Sequence, residues 1–308
     1  MNAVNYFSSS RAERKKIHHG EEAQVSRISC ASPFFNGLVE RKERLDNGLV
    51  GFERLMFSQS IRTGRLFVGV QSDSANGQAA RYHLLGIAHA IFPEHFPRTR
   101  ALRFSEEDRV RYGLIYSDFV EDSTGCIARK EAYLRESRDI QDGTGAHEKV
   151  EYVDVPLRQL KKRFNEEERR RCPQINEAEK KFKDAGILVM HPEANYHSPN
   201  GNPVFFEPYA LDFGLAMAFA GKLGKARKEK AVVHIGLLCL VALSESISRL
   251  KEDGKLMEEW LPLARLAEGK NGAFLRSFLK LAKEPEFSAM IGRSYESYVK
   301  FVAERLAF

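Results

Sequence analysis

Cysteine is scarce in this sequence, and its few copies are far apart. The 308 residues include four cysteines, Cys30, Cys126, Cys172 and Cys239, and none of them belongs to a C-x-x-C pair. This spacing argues against a disulfide framework and against a structural zinc site, because both need clustered cysteines. We therefore expect reduced thiols and a cytoplasmic location.

Long apolar runs are also missing. The most apolar stretch, residues 231–243, is interrupted by His234 and falls short of the roughly 20 residues that a bilayer span needs. The first residues have no apolar segment after their charged residues, so we expect no secretory signal of the usual kind. The sequence therefore predicts no membrane partner, and it predicts a buried helix over residues 231–243.

The charge is mildly basic, with a formal net charge of +6, and the composition is that of a globular protein. A basic excess favours anionic partners such as nucleotide phosphates or RNA. The most basic run, residues 161–171, is interleaved with the acidic residues 166–168, which is more typical of a solvated helix than of an RNA-binding stripe.

The front of the chain alternates apolar and polar residues, as strands do. After a polar arm over residues 1–20, strands are predicted over 23–29, 38–44 and 65–71, and together they would form one small sheet. Apolar residues then recur at helical spacing over 79–92, where Pro93 ends the pattern.

The rest of the chain is mainly helical in pattern. A strand-like segment over 112–120 is followed by a charged, glycine-containing stretch over 123–150. A helix is predicted over 156–184, broken at Cys172-Pro173 and ended by Gly186. Residues 187–190 are predicted to form a short strand or a turn, and four further helices are predicted from about residue 230.

This order of elements predicts an α+β protein of two lobes. We expect a flexible arm over 1–20, a strand-rich N-lobe over 21–122, a connection over 123–150 and a helical C-lobe over 151–308.

The most informative segment runs from residue 191 to residue 214. A His-Pro loop follows the helix that ends in Ala-Gly-Ile, then comes Asn195, and then two strand-like pieces joined by Asn200-Gly201, a hairpin signal. This arrangement resembles the catalytic centre of the protein-kinase-like superfamily, which includes small-molecule and aminoglycoside kinases. The resemblance implies ATP and Mg²⁺ held between two lobes.

Two alignments of this segment compete. In the first, Asn195 is a metal ligand, the hairpin strands are residues 196–198 and 203–206, and Glu207 stands for the metal-binding Asp of the family. The base position would then be Met190, which is not an acid. The hairpin favours this alignment because it is a physical constraint on the chain.

In the second alignment, His191-Pro192-Glu193 stands for the His-Arg-Asp triplet, and the triplet that begins at Asp212 is the metal-binding one. Ser198 then occupies the position of the metal-binding Asn. His191 and Glu193 are candidate catalytic residues, and Glu193 would orient or deprotonate the acceptor hydroxyl. In either alignment one catalytic group is missing or replaced.

The front half supports the resemblance less. Lys42 is the candidate strand lysine that would contact phosphates, but the helix over 79–92 has no Glu, and no G-x-G-x-x-G loop is present. The segment 116–122 would be the hinge that receives an adenine. The sequence thus predicts an atypical Mg-ATP-dependent phosphotransferase with an unnamed acceptor, or a nucleotide-binding pseudokinase. The alternative is a non-catalytic interaction protein with a protein partner or RNA.

Overall fold

The computed structural model describes residues 13–19, 23–29, 38–45, 56–59, 66–69, 75–107, 110–120, 157–189, 192–193, 196–198 and 201–253. The strands are β1 (Glu13–His19), β2 (Ala23–Ser29), β3 (Val39–Leu45), β4 (Met56–Gln59), β5 (Leu66–Gly69), β6 (Thr99–Glu107), β7 (Val110–Ser117), β8 (Ile187–Val189), β9 (Tyr196–His197), β10 (Val204–Phe205) and β11 (Pro208–Asp212). The helices are α1 (Ala75–Ile91), α2 (Leu157–Arg171), α3 (Gln174–Asp184), α4 (Phe213–Ala220) and α5 (Lys225–Asp253). The predicted connection over 123–150 and the helices predicted after residue 255 lie outside these ranges.

The strands form two antiparallel sheets and a separate hairpin, so the fold is α+β as predicted. The front sheet has the order β1-β2-β3-β7-β6, and the second sheet has the order β4-β5-β11-β8. Strands β9 and β10 make the hairpin. Helix α1 follows β5 in the chain and packs against β6, β7 and α5.

Two expectations about the front of the chain need correction. Part of the predicted flexible arm is strand β1, which pairs with β2 and is held by Arg14, whose Nε lies 2.7 Å from Oε1 of the buried Glu40. The strand predicted over 65–71 exists as β5, but it belongs to the second sheet, where Ala210 of β11 pairs with Gly69. Local alternation predicts a strand but not its partner, because pairing depends on the whole chain.

The helices end close to where the sequence indicated, but α1 and α5 begin at residues 75 and 225, about four and five residues before the predicted starts. The predicted break at Cys172-Pro173 separates α2 from α3, because proline has no N–H to continue the helical ladder. Gly186 follows the end of α3 with φ of 76°, a conformation that favours glycine. The apolar stretch 231–243 is part of helix α5, as predicted. Within the described residues, no helix is long and apolar enough to span a membrane.

The core lies between α1, α3, α4, α5 and the β9–β10 hairpin. Its centre is Phe182 of α3, which is fully buried; its ring centroid lies 4.9 Å from that of Phe96 and 5.2 Å from those of Phe92 and Phe205. Burial of one such aromatic ring contributes about 2–3 kcal/mol, and ring pairs add to it. This cluster fixes the hairpin against the end of α1.

Candidate functional site

The hairpin that the sequence predicted is present. Val204 pairs with His197 and Phe205 pairs with Tyr196, and Gly201 in the turn has φ of 80°. A side chain in that conformation would be strained, which explains the glycine. The two open ends of the hairpin therefore lie side by side.

The loop after α1 holds the hairpin in place through three hydrogen bonds. The backbone N–H of Phe205 donates to the carbonyl of His95 at 2.8 Å, and Nδ1 of His95 lies 2.9 Å from the carbonyl of Pro203. The Asn202 amide donates to the carbonyl of Glu94 at 3.0 Å. The front half of the chain thus contributes directly to the position of the hairpin.

The strands on either side of the hairpin pair with each other. Strand β8 precedes the hairpin and β11 follows it, and Leu188 pairs with Ala210 in this antiparallel contact. Glu207 is therefore placed between the end of the hairpin and the start of β11. The pairing of β9 with β10 and of β8 with β11 fixes the backbone position of Glu207.

Glu207 faces a cation of the front sheet. Its Oε1 lies 3.6 Å from Nη1 of Arg41, and the two side chains are 35% and 29% exposed. The pair joins the front sheet to the segment that follows the hairpin. An ion pair of this exposure stabilises a fold by at most about 1 kcal/mol, so its position matters more than its strength.

The register of the front sheet shows on which face of the sheet the Arg41 side chain lies. Arg41 pairs with Ile115, two residues from Gly113 on the same face of β7. A Cβ on Gly113 would lie 2.8 Å from Cγ of Gln78, so this face is the one that α1 covers. Lys42 pairs with Leu114 and lies on the opposite face. The cation directed toward α1 and Glu207 is therefore Arg41.

On the face of the front sheet that α1 covers, the helix places a glutamine and no acidic residue. Gln78 is fully buried, and within the described part of the chain its Nε2 and Oε1 have no hydrogen-bond partner. The sequence of α1 contains no Asp or Glu. A buried amide without partners costs about 1–3 kcal/mol, so Gln78 does not stabilise the fold through its amide group.

Glu193 is held by side chains of α2. Its Oε1 accepts a hydrogen bond from Asn165 and its Oε2 from Arg169, both at 2.8 Å, and the residue is buried. Arg169 also contacts Glu179 at 2.9 Å. Both carboxylate oxygens therefore accept hydrogen bonds from side chains of α2, which is typical of a carboxylate that stabilises the fold.

Asp212 is the N-cap of α4. Its Oδ1 accepts a hydrogen bond from the N–H of Leu215 at 3.1 Å, and the residue is 2% exposed. Asp212 is the fifth residue after Glu207 along β11, which places the two Cα atoms up to about 16 Å apart. The two carboxylates cannot share one metal ion, so the two alignments of this segment exclude each other.

His191 and Asn195 lie outside the described residues, so their roles stay predictions. Among the residues that are described, no three His, Cys, Asp or Glu side chains come together as a metal site. Sequence reasoning missed Arg41 and Gln78. The alternation of β3 put Arg41 and Lys42 on different faces, but only the pairing with β7 shows which face meets α1.

No protein-family model matches the chain, and no curated protein matches it. One similar solved structure is a mutant aminoglycoside 2′-phosphotransferase in complex with GDP. It is 9% identical, the match covers 95% of this chain and 96% of that chain, and the TM-score is 0.24. At this TM-score the likeness carries no argument about fold or function.

Proposed function

We propose that this chain binds a nucleoside triphosphate with Mg²⁺ in a site of the protein-kinase-like kind, between its predicted N-lobe and C-lobe. The observation that carries the proposal is the contact between Arg41 and Glu207. In protein kinases a cation on the third strand contacts the phosphates, and an acid near the catalytic loop holds Mg²⁺. Here β3 supplies the cation, and the residue that follows the hairpin supplies the acid.

The donor chemistry at this position fits such a ligand. The Arg41 guanidinium can donate two parallel hydrogen bonds to phosphate oxygens. Glu207 supplies a carboxylate oxygen of the type that Mg²⁺ prefers, and the predicted ligand Asn195 would supply an amide oxygen. Bound Mg²⁺ would neutralise charge on the phosphates. We place Arg41 in the role that the sequence had suggested for Lys42, because Lys42 lies on the other face of β3.

Phosphoryl transfer needs a group that accepts the proton of the acceptor hydroxyl. Glu193 is the candidate, yet it is buried and both of its oxygens accept hydrogen bonds from α2. Under the alignment that uses Glu207, the base position holds Met190. We therefore favour the pseudokinase alternative, in which nucleotide binds and transfer is slow or absent.

Titration with ATP and with GTP, each with Mg²⁺ and with EDTA, tests this function by calorimetry and by thermal shift, because a ligand that binds the folded state raises its melting temperature. We expect binding with Mg²⁺, about tenfold weaker binding for Arg41→Ala, and no detectable ATP turnover. Glu167→Gln is the matched control, since it removes an exposed ion pair on α2. Absence of a shift with every nucleotide would refute the proposal.

The RNA-associated alternative stays a prediction. Its basic surface would be α2, where Lys162 lies 3.9 Å from Glu166 and Arg171 lies 2.8 Å from Glu167. These pairs offset part of the positive charge that phosphates would need. A gel-shift assay at low salt is the direct test, because phosphate contacts weaken steeply as salt rises.

A further inference from the structure

We infer that the corner between α4 and α5, residues 222–230, binds the phosphate backbone of a nucleic acid without reading its sequence. The basic residues of this basic corner are Lys222, Lys225, Arg227, Lys228 and Lys230, and its one acidic residue is Glu229. The basic corner therefore carries most of the formal net charge of +6. The inference does not depend on the proposed nucleotide site, because none of these residues takes part in the contact between Arg41 and Glu207.

The basic corner is exposed, and neighbouring acids do not neutralise its lysines. All of its residues are exposed except Leu223, which packs against the core. Within the residues that the structure describes, no ion pair joins the four lysines to an acidic side chain, although Glu229 follows Lys225 by one helical turn.

The arginine of the basic corner fixes its position. Nε of Arg227 donates a hydrogen bond to the carbonyl of Ala90 at 2.9 Å, and the same guanidinium contacts the carbonyl of Ile91. These two carbonyls belong to the last turn of α1. Arg227 therefore anchors the start of α5 to the end of α1, and the exposed lysines are held on a fixed backbone.

Other exposed lysines have acidic partners. In α2, Lys162 lies 3.9 Å from Glu166. In α3, Lys181 and Lys183 each lie 2.8 Å from a glutamate one helical turn earlier. The basic surface that the sequence suggested, on α2, is therefore partly neutralised, whereas the basic corner keeps its charge.

The stability of the fold does not account for this arrangement. The first turn of α5 contains no acidic residue, and positive charges near a helix N-terminus oppose the helix dipole. Lys225 and Lys228 are three residues apart on one face of the helix, so they also repel each other. A partner with closely spaced negative charges would offset both effects. A nucleic acid backbone is such a partner, with one phosphate about every 3.4 Å along each strand of DNA.

The side chains of the basic corner favour a nucleic acid over a membrane surface. Helices that bind at a membrane surface bury large apolar side chains at the headgroup boundary. The only large apolar residue of the basic corner is Leu223, and it packs on the core instead. The basic corner also has no aromatic or amide side chain that could stack on bases or bind their edges. Contacts to phosphates alone carry no sequence information, so we expect binding that is independent of sequence.

Two variants of the full chain test the inference, and each loses three exposed lysines. The corner variant carries Lys222→Gln, Lys225→Gln and Lys228→Gln. The control variant carries Lys162→Gln, Lys181→Gln and Lys183→Gln. Both have the same net charge, so a difference between them reports the position of the charges and not their number. Circular dichroism and the melting temperature confirm that each variant folds.

Fluorescence anisotropy measures the affinity for a labelled single-stranded RNA over a series of salt concentrations. We expect the corner variant to bind about tenfold more weakly than the wild type at low salt, and the control variant to lose no more than about threefold. The slope of log affinity against log salt should become shallower by about 2 in the corner variant, because each lost phosphate contact removes about 0.7 on a single strand. If this variant does not fold, Lys228→Gln alone should lower the slope by about 0.7.

The probes also separate the possible partners. Single-stranded DNA of the same sequence and RNA of a second sequence should bind within about threefold of the first RNA, because the phosphates are common to all three. The inference is wrong if the wild type binds no nucleic acid at low salt, if the control variant loses as much affinity as the corner variant, or if one sequence is preferred more than about tenfold. Binding to vesicles that contain an anionic lipid, without binding to RNA or DNA, would also overturn it and assign the basic corner to a membrane surface.

Discussion

The Nδ1 atoms of His83 on α1 and His234 on α5 lie 3.1 Å apart, with ring centroids 5.4 Å apart. At this distance one ring donates a hydrogen bond and the other accepts it, so both cannot be protonated. Burial lowers the pKa of His83 well below its usual value, and the nearby His234 lowers it further. Burial also lowers the pKa of His234 to about 4, with help from His89 and Lys230.

This pair predicts acid sensitivity. Both imidazoles are neutral in the folded protein, whereas the unfolded chain protonates them near pH 6.5. The unfolded state therefore binds more protons between pH 6.5 and about 4, and stability falls as the pH drops through that window. His234 alone accounts for at most on the order of 3 kcal/mol, because it remains partly exposed.

Urea unfolding at pH 7.5 and at pH 5 measures the effect. His234→Phe keeps a ring of similar size but removes one titrating group, so its loss of stability between the two pH values should be clearly smaller. An unchanged pH dependence in this variant would show that the acid response arises elsewhere.

Gly86 makes room for the same histidine. A Cβ on Gly86 would lie 2.4 Å from Cε1 of the His234 ring, closer than real atoms approach. We expect Gly86→Ala to lower the free energy of unfolding by about 2 kcal/mol through overpacking. In a His234→Ala background the sign should reverse, because alanine is a better helix residue than glycine by about 0.5–1 kcal/mol.

Thermal or urea unfolding of the four proteins in this double-mutant cycle gives the coupling directly. If Gly86→Ala destabilises both backgrounds equally, the close approach of α1 and α5 is not the reason for the glycine.

The sequence predicted elements better than it predicted partners. The hairpin turn, the break at Cys172-Pro173 and the left-handed Gly186 all follow from local backbone preferences, and all are present. Strand β5 was found but assigned to the wrong sheet, and β1 was missed because its charges resemble those of a solvated arm. Pairing across a sheet depends on residues far apart in sequence, which local patterns do not contain.

Site chemistry shows the same limit. Sequence reasoning found Glu207 through the hairpin but named Lys42 and not Arg41, because the resemblance looks for a lysine on a strand. Gln78 gave no signal, because a glutamine near the start of a helix is normally solvated. Its burial appears only in the structure, where it packs against Gly113.

We predict that Glu193 stabilises the fold and takes no part in catalysis. Glu193→Gln removes the charge that Arg169 binds at 2.8 Å in a buried position. We expect a loss of about 1 kcal/mol in the free energy of unfolding, because a neutral amide binds the Arg169 guanidinium less strongly, while Arg169 keeps its contact with Glu179. The exposed Glu167→Gln should cost less than about 0.5 kcal/mol.

Two measurements separate this role from catalysis. Urea unfolding gives the stability loss, and calorimetry with Mg-ATP should show an affinity close to that of the wild type. The structural role would be wrong if the wild type turns over ATP and the Glu193→Gln variant is as stable as the wild type but has lost that activity. Glu193 would then be the catalytic base.

The variants of Asp212 and Glu207 have opposite expected effects, because extended chain places the two Cα atoms up to about 16 Å apart and only one carboxylate can accompany the phosphates. Asp212 caps α4 through Leu215, so Asp212→Ala should lower the free energy of unfolding by about 1 kcal/mol. Asp212→Asn keeps an oxygen acceptor and should cost little. Neither variant should change the dependence of ATP affinity on Mg²⁺, whereas Glu207→Gln should.

Calorimetry of all three variants decides the alignment of this segment. If Asp212→Asn abolishes the metal dependence and Glu207→Gln leaves it intact, Asp212 is the metal ligand, and Arg41 pairs with Glu207 for stability alone.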